Sequence, residues 1–303
     1  MNNKLHKIKQ LFAIFKDALI GNLLLLKCRW DIRVRKHIDV SSRVEDSLWV
    51  SLTSYGYRAE HCVVNTIYSL IKQTVRPAKI LLWLSETEFN EHNLPRDLIF
   101  LKQYGLEVRF CKDLRSYTKI IPTLRLRQEV NVMTVDDDIY YSSNMIETFL
   151  ETVRLHPYTI VAGHAFMPSL KEDGQLTAYT SWKAMFYVKK DEVYDHRLVF
   201  PVGYSGVYYP ANIFDEEVLN EEVFLHHSPY ADDVWLYVMG VRQGVEKVVL
   251  PESSIRYYLT DLFRQRRQKD RLHDVNFGEG KNDKQLKSLL NHYHLTLTSS
   301  LQH

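Results

Sequence analysis

From residue 47 onward the chain alternates short apolar runs with stretches of helical periodicity, and that alternation leaves few folds open. Residues 48–52 are apolar and stop in Thr53-Ser54-Tyr55-Gly56, a turn signal. Val63, Ile67, Leu70 and Ile71 then recur at helical spacing. A second run at 79–84 ends in Ser85-Glu86, and a third at 106–110 ends near Asp113. Residues 117–127 have a helical pattern, and a fourth strand is expected over 131–135. A helix over about 143–155 follows, with Ser142 or Ser143 as its N-cap. Alternating strands and helices predict an α/β fold with a mostly parallel sheet and right-handed crossovers. In such sheets ligands bind beyond the carboxyl ends of the strands. Thr53 to Tyr55, Ser85-Glu86, Asp113 and Asp136 to Asp138 all fall at those ends.

The fourth run delivers three adjacent carboxylates, Asp136, Asp137 and Asp138. Negative charges crowded at the end of a buried strand repel one another, so a cation is expected among them. Hard carboxylate oxygens without a nearby Cys or paired His favour Mg²⁺ or Mn²⁺, and such an ion normally completes its shell with substrate phosphates. The bland reading is a solvated acidic loop that caps the next helix. No glycine-rich phosphate loop of the GxGxxG or GxxxxGK[ST] type is present. A diphosphate would therefore be held by metal and side chains.

A net charge of +2 argues against a nucleic-acid partner. Three cysteines without CxxC spacing fit a reducing, cytoplasmic setting. Residues 11–26 are apolar but interrupted by Lys16 and Asp17, with Lys4, Lys7 and Lys9 before them and Lys27, Arg29, Arg33, Arg35 and Lys36 after. Such a segment suits a helix lying peripherally on the anionic inner face of a membrane, and equally one packed on the protein's own core. After residue 157 the alternation decays into an aromatic, glycine-punctuated segment at 200–210 and then Ala231-Asp232-Asp233-Val234-Trp235, which opens an apolar helix. The glycines permit close approach to a ligand or tight turns, and the aspartates can cap the helix. A basic run, Arg264-Gln265-Arg266-Arg267-Gln268-Lys269, is either a solvated face or a loop that closes over phosphates. His164, His226 and His227 can assist a metal or acceptor, although solvated or hydrogen-bonded roles are commoner.

The ordered set of motifs resembles the GT-A fold glycosyltransferases of the family-2-like type, in particular those encoded with bacterial capsule and lipopolysaccharide genes. The features that carry the likeness are Val50-Ser51-Leu52-Thr53-Ser54-Tyr55, Gln73-Thr74-Val75-Arg76-Pro77, Ser116-Tyr117-Thr118-Lys119 and Thr134-Val135-Asp136-Asp137-Asp138-Ile139-Tyr140. To these belong Gly203-Tyr204-Ser205-Gly206-Val207-Tyr208-Tyr209-Pro210 and Ala231-Asp232-Asp233-Val234-Trp235, so the resemblance spans roughly residues 47–290. It implies a hexosyltransferase-like enzyme that uses Mn²⁺ or Mg²⁺ and a nucleotide-sugar donor, UDP-linked in the commonest case. Thr53, Tyr55 and Glu86 would grip the base and ribose, with Arg58 nearby and Lys119 reaching the base or phosphates. Asp136 and Asp138 match the Asp-x-Asp motif at the ribose and metal, while Asp137 leaves the division of labour between them open. Asp233 matches the general base and Asp232 an acceptor ligand. Trp182, Gly203, Gly206, Tyr208 and Trp235 would wall the sugar and acceptor. The Gln-x-x-Arg-Trp motif and membrane helices of processive synthases are missing, which implies addition of one or a few sugars to a glycan or lipid-linked oligosaccharide.

Three regions follow: a basic amphipathic segment over 1–45, a nucleotide-sugar half over 46–156, and an acceptor and catalytic-base half over 157–303. Two rival readings remain at this stage. One is a metal-dependent phosphotransferase or nucleotidyltransferase, which also uses paired aspartates. The other is a glycan-binding protein of the same fold without turnover.

Overall fold

A computed structural model describes residues 2–185, 188, 192–251, 255–260 and 280–297, with the backbone alone for 2–15, 17 and 18. Its centre is a seven-stranded sheet built from β1 (Arg43–Thr53), β2 (Val75–Ser85), β3 (Leu106–Cys111), β4 (Asn131–Thr134), β6 (Ile160–Ala162), β10 (Val207–Tyr209) and β11 (Lys247–Val249). The spatial order is β11-β6-β10-β4-β1-β2-β3, and every neighbouring pair is parallel except those made by β10. A second, two-stranded sheet pairs β5 (Ile139–Tyr141) with β12 (Tyr257–Leu259), and a third pairs β7 (Ala165–Met167) with β8 (Lys183–Met185) and β9 (Phe200–Pro201). The expected α/β class, the mostly parallel sheet and the smaller mixed region are all present. In that one sheet β11, β6 and β10, from 157–303, lie side by side, and β4, β1, β2 and β3, from the preceding region, adjoin them through the β10–β4 pair.

Two apolar layers cover the sheet. One face packs against α1 (Asn2–Arg33), α3 (Val63–Ile71), α4 (Arg96–Leu101) and α6 (Met145–Leu155). The other packs against α5 (Ile121–Leu126), α7 (Glu221–His227), α8 (Asp232–Arg242) and α9 (Lys281–His292). Strand alternation sorts the side chains: Val161 and Tyr208 join the first layer, Ile160, Ala162, Val207 and Tyr209 the second. Helix α3, preceded by α2 (Gly56–His61), is buried at all nine positions, as a helix wedged under a parallel sheet requires. Two of its buried hydroxyls reach the next strand: Thr66 Oγ1 donates to the Ile139 carbonyl at 2.7 Å, and Ser69 Oγ accepts from the Tyr141 amide at 3.1 Å. That helix therefore fixes β5, the strand immediately after the three aspartates.

Two local expectations are corrected. The helix expected over 117–127 is broken into a 3₁₀ turn at Arg115–Lys119 and α5, because Pro122 lacks an amide hydrogen and fits only a first helical turn. Neither Ser142 nor Ser143 caps α6, whose cap position is Asn144. Its orphaned first-turn amide at Ile146 is met instead by Gln73 Oε1 at 3.0 Å. Gln73 Nε2 also donates to the Ser142 carbonyl at 2.8 Å, so one buried side chain holds the loop that leaves β5. The basic run at 264–269 lies outside the described residues.

Gly163, where β6 leaves the sheet, admits no side chain. A Cβ there would lie 2.5 Å from the Ser205 carbonyl oxygen, a backbone atom that cannot swing away. Gly163→Ala should therefore lower stability by about 2 kcal/mol in urea unfolding, the scale of an overpacking clash.

Candidate active site

The carboxyl ends of β1, β2 and β4, the exit of β6 and the amino end of the reversed strand β10 all reach one edge of the sheet. Onto that edge come the three aspartates after β4, the 203–206 turn before β10 and the first turn of α8. Lys119 lies between them. Its backbone carbonyl accepts from Ser51 Oγ at 2.6 Å near the carboxyl end of β1, which anchors the 3₁₀ turn to the sheet. Its Nζ is 2.9 Å from Asp232 Oδ2 and 3.3 Å from Asp136 Oδ1. Burial works against the charge on this ammonium, but Asp136, Asp232 and Asp233 outweigh it and hold its pKa well above the ordinary lysine value. Lys119 thus joins two acidic clusters about a hundred residues apart in sequence.

The middle aspartate has a different fate. Asp137 is buried, accepts from Arg58 on both carboxylate oxygens and takes a further hydrogen bond from Ser54 Oγ at 2.6 Å. The same guanidinium reaches Asp138 Oδ2 at 3.0 Å. Two expectations change here. The aspartates are not unshielded, since Arg58 and Lys119 each pair with two of the site's carboxylates. Asp137 and Arg58 satisfy each other inside the loop rather than facing a nucleotide. A buried charge left without its partner costs more than the pair is worth. Arg58→Ala should accordingly destabilise the fold by about 3 kcal/mol, and Asp137→Asn in the same chain should recover part of that loss in a double-mutant cycle.

Asp136 and Asp138 keep the loop's open side, with 34% and 19% of their side chains exposed. The Asp136 amide donates to Tyr141 Oη at 3.2 Å, and that hydroxyl donates to the Tyr204 carbonyl at 2.8 Å. One buried tyrosine thereby ties the aspartate loop to the 203–206 turn. The turn in its own right approaches the charges: a Cβ on Gly203 would lie 2.8 Å from Lys119 Nζ and 3.1 Å from Asp233 Oδ1. The Gly203 amide instead donates to Asp233 Oδ2 at 3.3 Å. Gly206 adopts a φ of +92° and backs onto Phe149, so it shapes the turn rather than lining a cleft. Helix α8 is aimed by Tyr117, whose hydroxyl donates to the Ser228 carbonyl and whose ring stacks on Phe224 at 4.2 Å.

Five carboxylates against two cations leave a formal excess of three negative charges. Burial, then Asp232 and Asp136, push the Asp233 carboxyl up to about 7 against the pull of Lys119. Burial again, then Asp137 and Asp136, push Asp138 up to about 7 against Arg58. No group of three or more His, Cys, Asp or Glu side chains among the described residues forms a complete metal cage. The open pair Asp136 and Asp138 nonetheless fits a hard divalent ion. Such an ion takes one or two carboxylates and fills its shell with phosphate oxygens and water, and it would relieve the excess charge. Zinc, with its tetrahedral N/S preference, does not fit this donor set.

Other expected site residues divide into two groups. Tyr55 is half-exposed beside the Arg58 guanidinium, 5.5 Å from ring centroid to Cζ, and Glu86 is exposed at the end of β2. Thr53 stays at the edge, but its hydroxyl donates to the Trp83 carbonyl at 2.9 Å. Trp182, Tyr208 and Trp235 are corrected to core residues. Trp235 is wholly buried and donates to the Val218 carbonyl at 3.0 Å, Trp182 packs on Tyr179 and Phe200, and Tyr208 pairs between β4 and β6. His227 accompanies Ser288 at 2.8 Å in the α7–α9 contact, with His226 against its ring. Residues missed in sequence are Ser54 and Tyr141, which touch the aspartate loop directly, and Tyr117, which positions α8.

His164, at the β6 exit, packs against Tyr204 and Phe166 and is buried, which drops its pKa to about 4. The unfolded chain, with histidine near 6.5, then takes up a proton first as pH falls. Stability should drop by up to about 3 kcal/mol between pH 6.5 and 4 on this account, and His164→Phe should remove that component from the pH series of urea midpoints.

No protein-family model matches the chain, and no curated protein matches it in sequence. Solved structures superpose over much of it at low identity. Staphylococcus aureus TarS 1–349 in complex with UDP is 14% identical over 82% of this chain and 71% of that chain, with a TM-score of 0.45. TarS 1–349 without the nucleotide gives 15% over the same shares and a TM-score of 0.44. GalNAc-T7 with UDP, GalNAc and Mn²⁺ is 11% identical over 70% of this chain and 43% of that chain, with a TM-score of 0.46. Superpositions of this quality say nothing about what this chain binds.

Proposed function

We propose that the chain is a metal-dependent glycosyltransferase of the GT-A type, moving a sugar from a nucleotide-sugar donor, UDP-linked, to a hydroxyl of a bacterial surface glycan. One observation carries the reading: a loop with two open carboxylates, Asp136 and Asp138, and a helix-borne carboxylate, Asp233, meet around Lys119 and Gly203 at the carboxyl edge of a parallel sheet. The order of sequence motifs that resembles the family supports it, because Asp136, Asp138, Lys119, Gly203, Asp232 and Asp233, among the residues matched to donor and acceptor roles, converge.

The roles follow from the chemistry. Asp136 and Asp138 would hold Mn²⁺ or Mg²⁺. When bound, such an ion offsets the charge that develops on a departing diphosphate. Asp233 takes the proton from the attacking hydroxyl. A carboxyl near neutrality is better matched to that task than one near 4, since it binds the proton more firmly while staying partly ionised at pH 7. The Gly203 amide fixes the orientation of Asp233, and Lys119 pairs with Asp232 beside it. Arg58 and Asp137 hold the loop in shape without touching substrate. Tyr55 and Glu86, open at the ends of β1 and β2, would contact the base and ribose, and their exposure supports that role. With a base on the face opposite the leaving group, transfer inverts the anomeric centre.

Binding and nucleotide release should be measured with UDP-, GDP- and CMP-sugars, with and without Mn²⁺. One donor should bind in a metal-dependent way, and Asp138→Ala should abolish that binding. Asp233→Asn should keep donor binding while transfer to acceptor falls about a hundredfold or more, the scale of losing a general base. A folded protein that binds no nucleotide sugar overturns the proposal.

A further inference from the structure

Helix α1 is apolar on two opposite faces, and the fold uses only one of them. Gly21, Leu25, Cys28 and Ile32 are buried, and Gly21 lies so close to β12 that a Cβ there would meet the Tyr258 ring at 3.0 Å. Asp31, also buried, accepts from Tyr68 Oη on α3 at 2.7 Å and fixes the rotation of the helix. On the far side Leu19, Leu23, Leu26 and Trp30 are 51%, 57%, 65% and 65% exposed. At 3.6 residues per turn these four fall within an arc of about 60°, on the side away from the buried residues. Lys16 and Lys27 lie along one border of that arc, Arg29 and Arg33 along the other, and all four are exposed.

We infer that this face of α1 seats on an anionic lipid surface, with Leu19, Leu23, Leu26 and Trp30 in the headgroup–acyl boundary and the four basic residues on lipid phosphates. The helix is not apolar enough to cross a membrane, and no other described helix is. A surface-lying helix needs a narrow apolar stripe with cationic borders and an interfacial aromatic, and these are the features present. Charge decides between lipid and a second copy of the chain. Along α1 the described exposed side chains include no Asp or Glu, so pairing this face with itself brings lysine and arginine against their like. An anionic surface is complementary to the same residues. The inference rests on α1 alone and stands apart from the glycosyltransferase reading.

The test is flotation of the full chain with vesicles of phosphatidylglycerol and phosphatidylcholine, against phosphatidylcholine alone. Binding is expected to the anionic vesicles and to weaken with salt. Leu23→Glu/Trp30→Glu, at exposed positions that leave the core intact, should reduce it about tenfold or more, and Lys27→Glu/Arg33→Glu should abolish the preference for anionic lipid. Asp138→Ala should bind vesicles like wild type, so a failed donor assay leaves this result untouched. Folded protein with no preference for anionic vesicles overturns the inference. So does a homodimer in light scattering that Leu23→Glu/Trp30→Glu dissolves, which would assign the face to a second copy.

Discussion

A single buried ammonium organises the edge of this sheet. Lys119 reaches Asp136 on the loop after β4 and Asp232 at the start of α8, segments about a hundred residues apart in the chain. Without it, five carboxylates would share one partly buried volume with only Arg58 to oppose them. Coulomb repulsion at such separations, in a medium far less polarisable than water, would drive the loop and helix apart or force protonation. With it, the two clusters are held within reach of one ammonium. The residual negative excess is then a property rather than a fault. Together with burial it raises the proton affinity of Asp233 and of Asp138.

Rigidity around that charge comes from groups that never face the cleft. Arg58 locks Asp137, Ser54 adds a third bond, and Tyr141 links the Asp136 amide to the Tyr204 carbonyl. Gln73 closes the far side by holding Ser142 and the first turn of α6. Each is a buried polar group with its partners supplied, so the loop's shape does not depend on ligand. A site that binds a charged ligand gains from such a shape, because no reorganisation is needed when the ligand arrives.

Much of this was legible in the chain, for definite reasons. Strand ends were readable because apolar runs stop in turn residues, and parallel topology places all such ends on one edge. Asp136, Asp138, Asp232 and Asp233 were readable because charges clustered at element ends need an explanation. What escaped were pairings across long sequence gaps. Nothing local says that Arg58 belongs to Asp137 or that Gln73 caps a helix some seventy residues on. The tryptophans misled for another reason. Trp182 and Trp235 sit next to motif residues, but a large aromatic buries more area in a core than against a sugar, and both found indole partners inside. Pro122 was a visible helix-start signal inside a pattern that looked continuous from 117.

The two-faced helix and the acidic edge are joined by one small element. Strand β12 packs its Tyr258 against Gly21 of α1, pairs along β5, and is followed by Thr260, whose amide donates to the Asp138 carbonyl at 2.8 Å. The seat of α1 and the backbone of an open aspartate are thus two contacts of the same strand and its next residue. Displacing α1 would strain a hydrogen bond on the site loop, whereas a surface-bound α1 would hold that strand against the sheet. On this geometry the position of α1 and the shape of the aspartate loop are one positioning problem, solved by the β5–β12 pair.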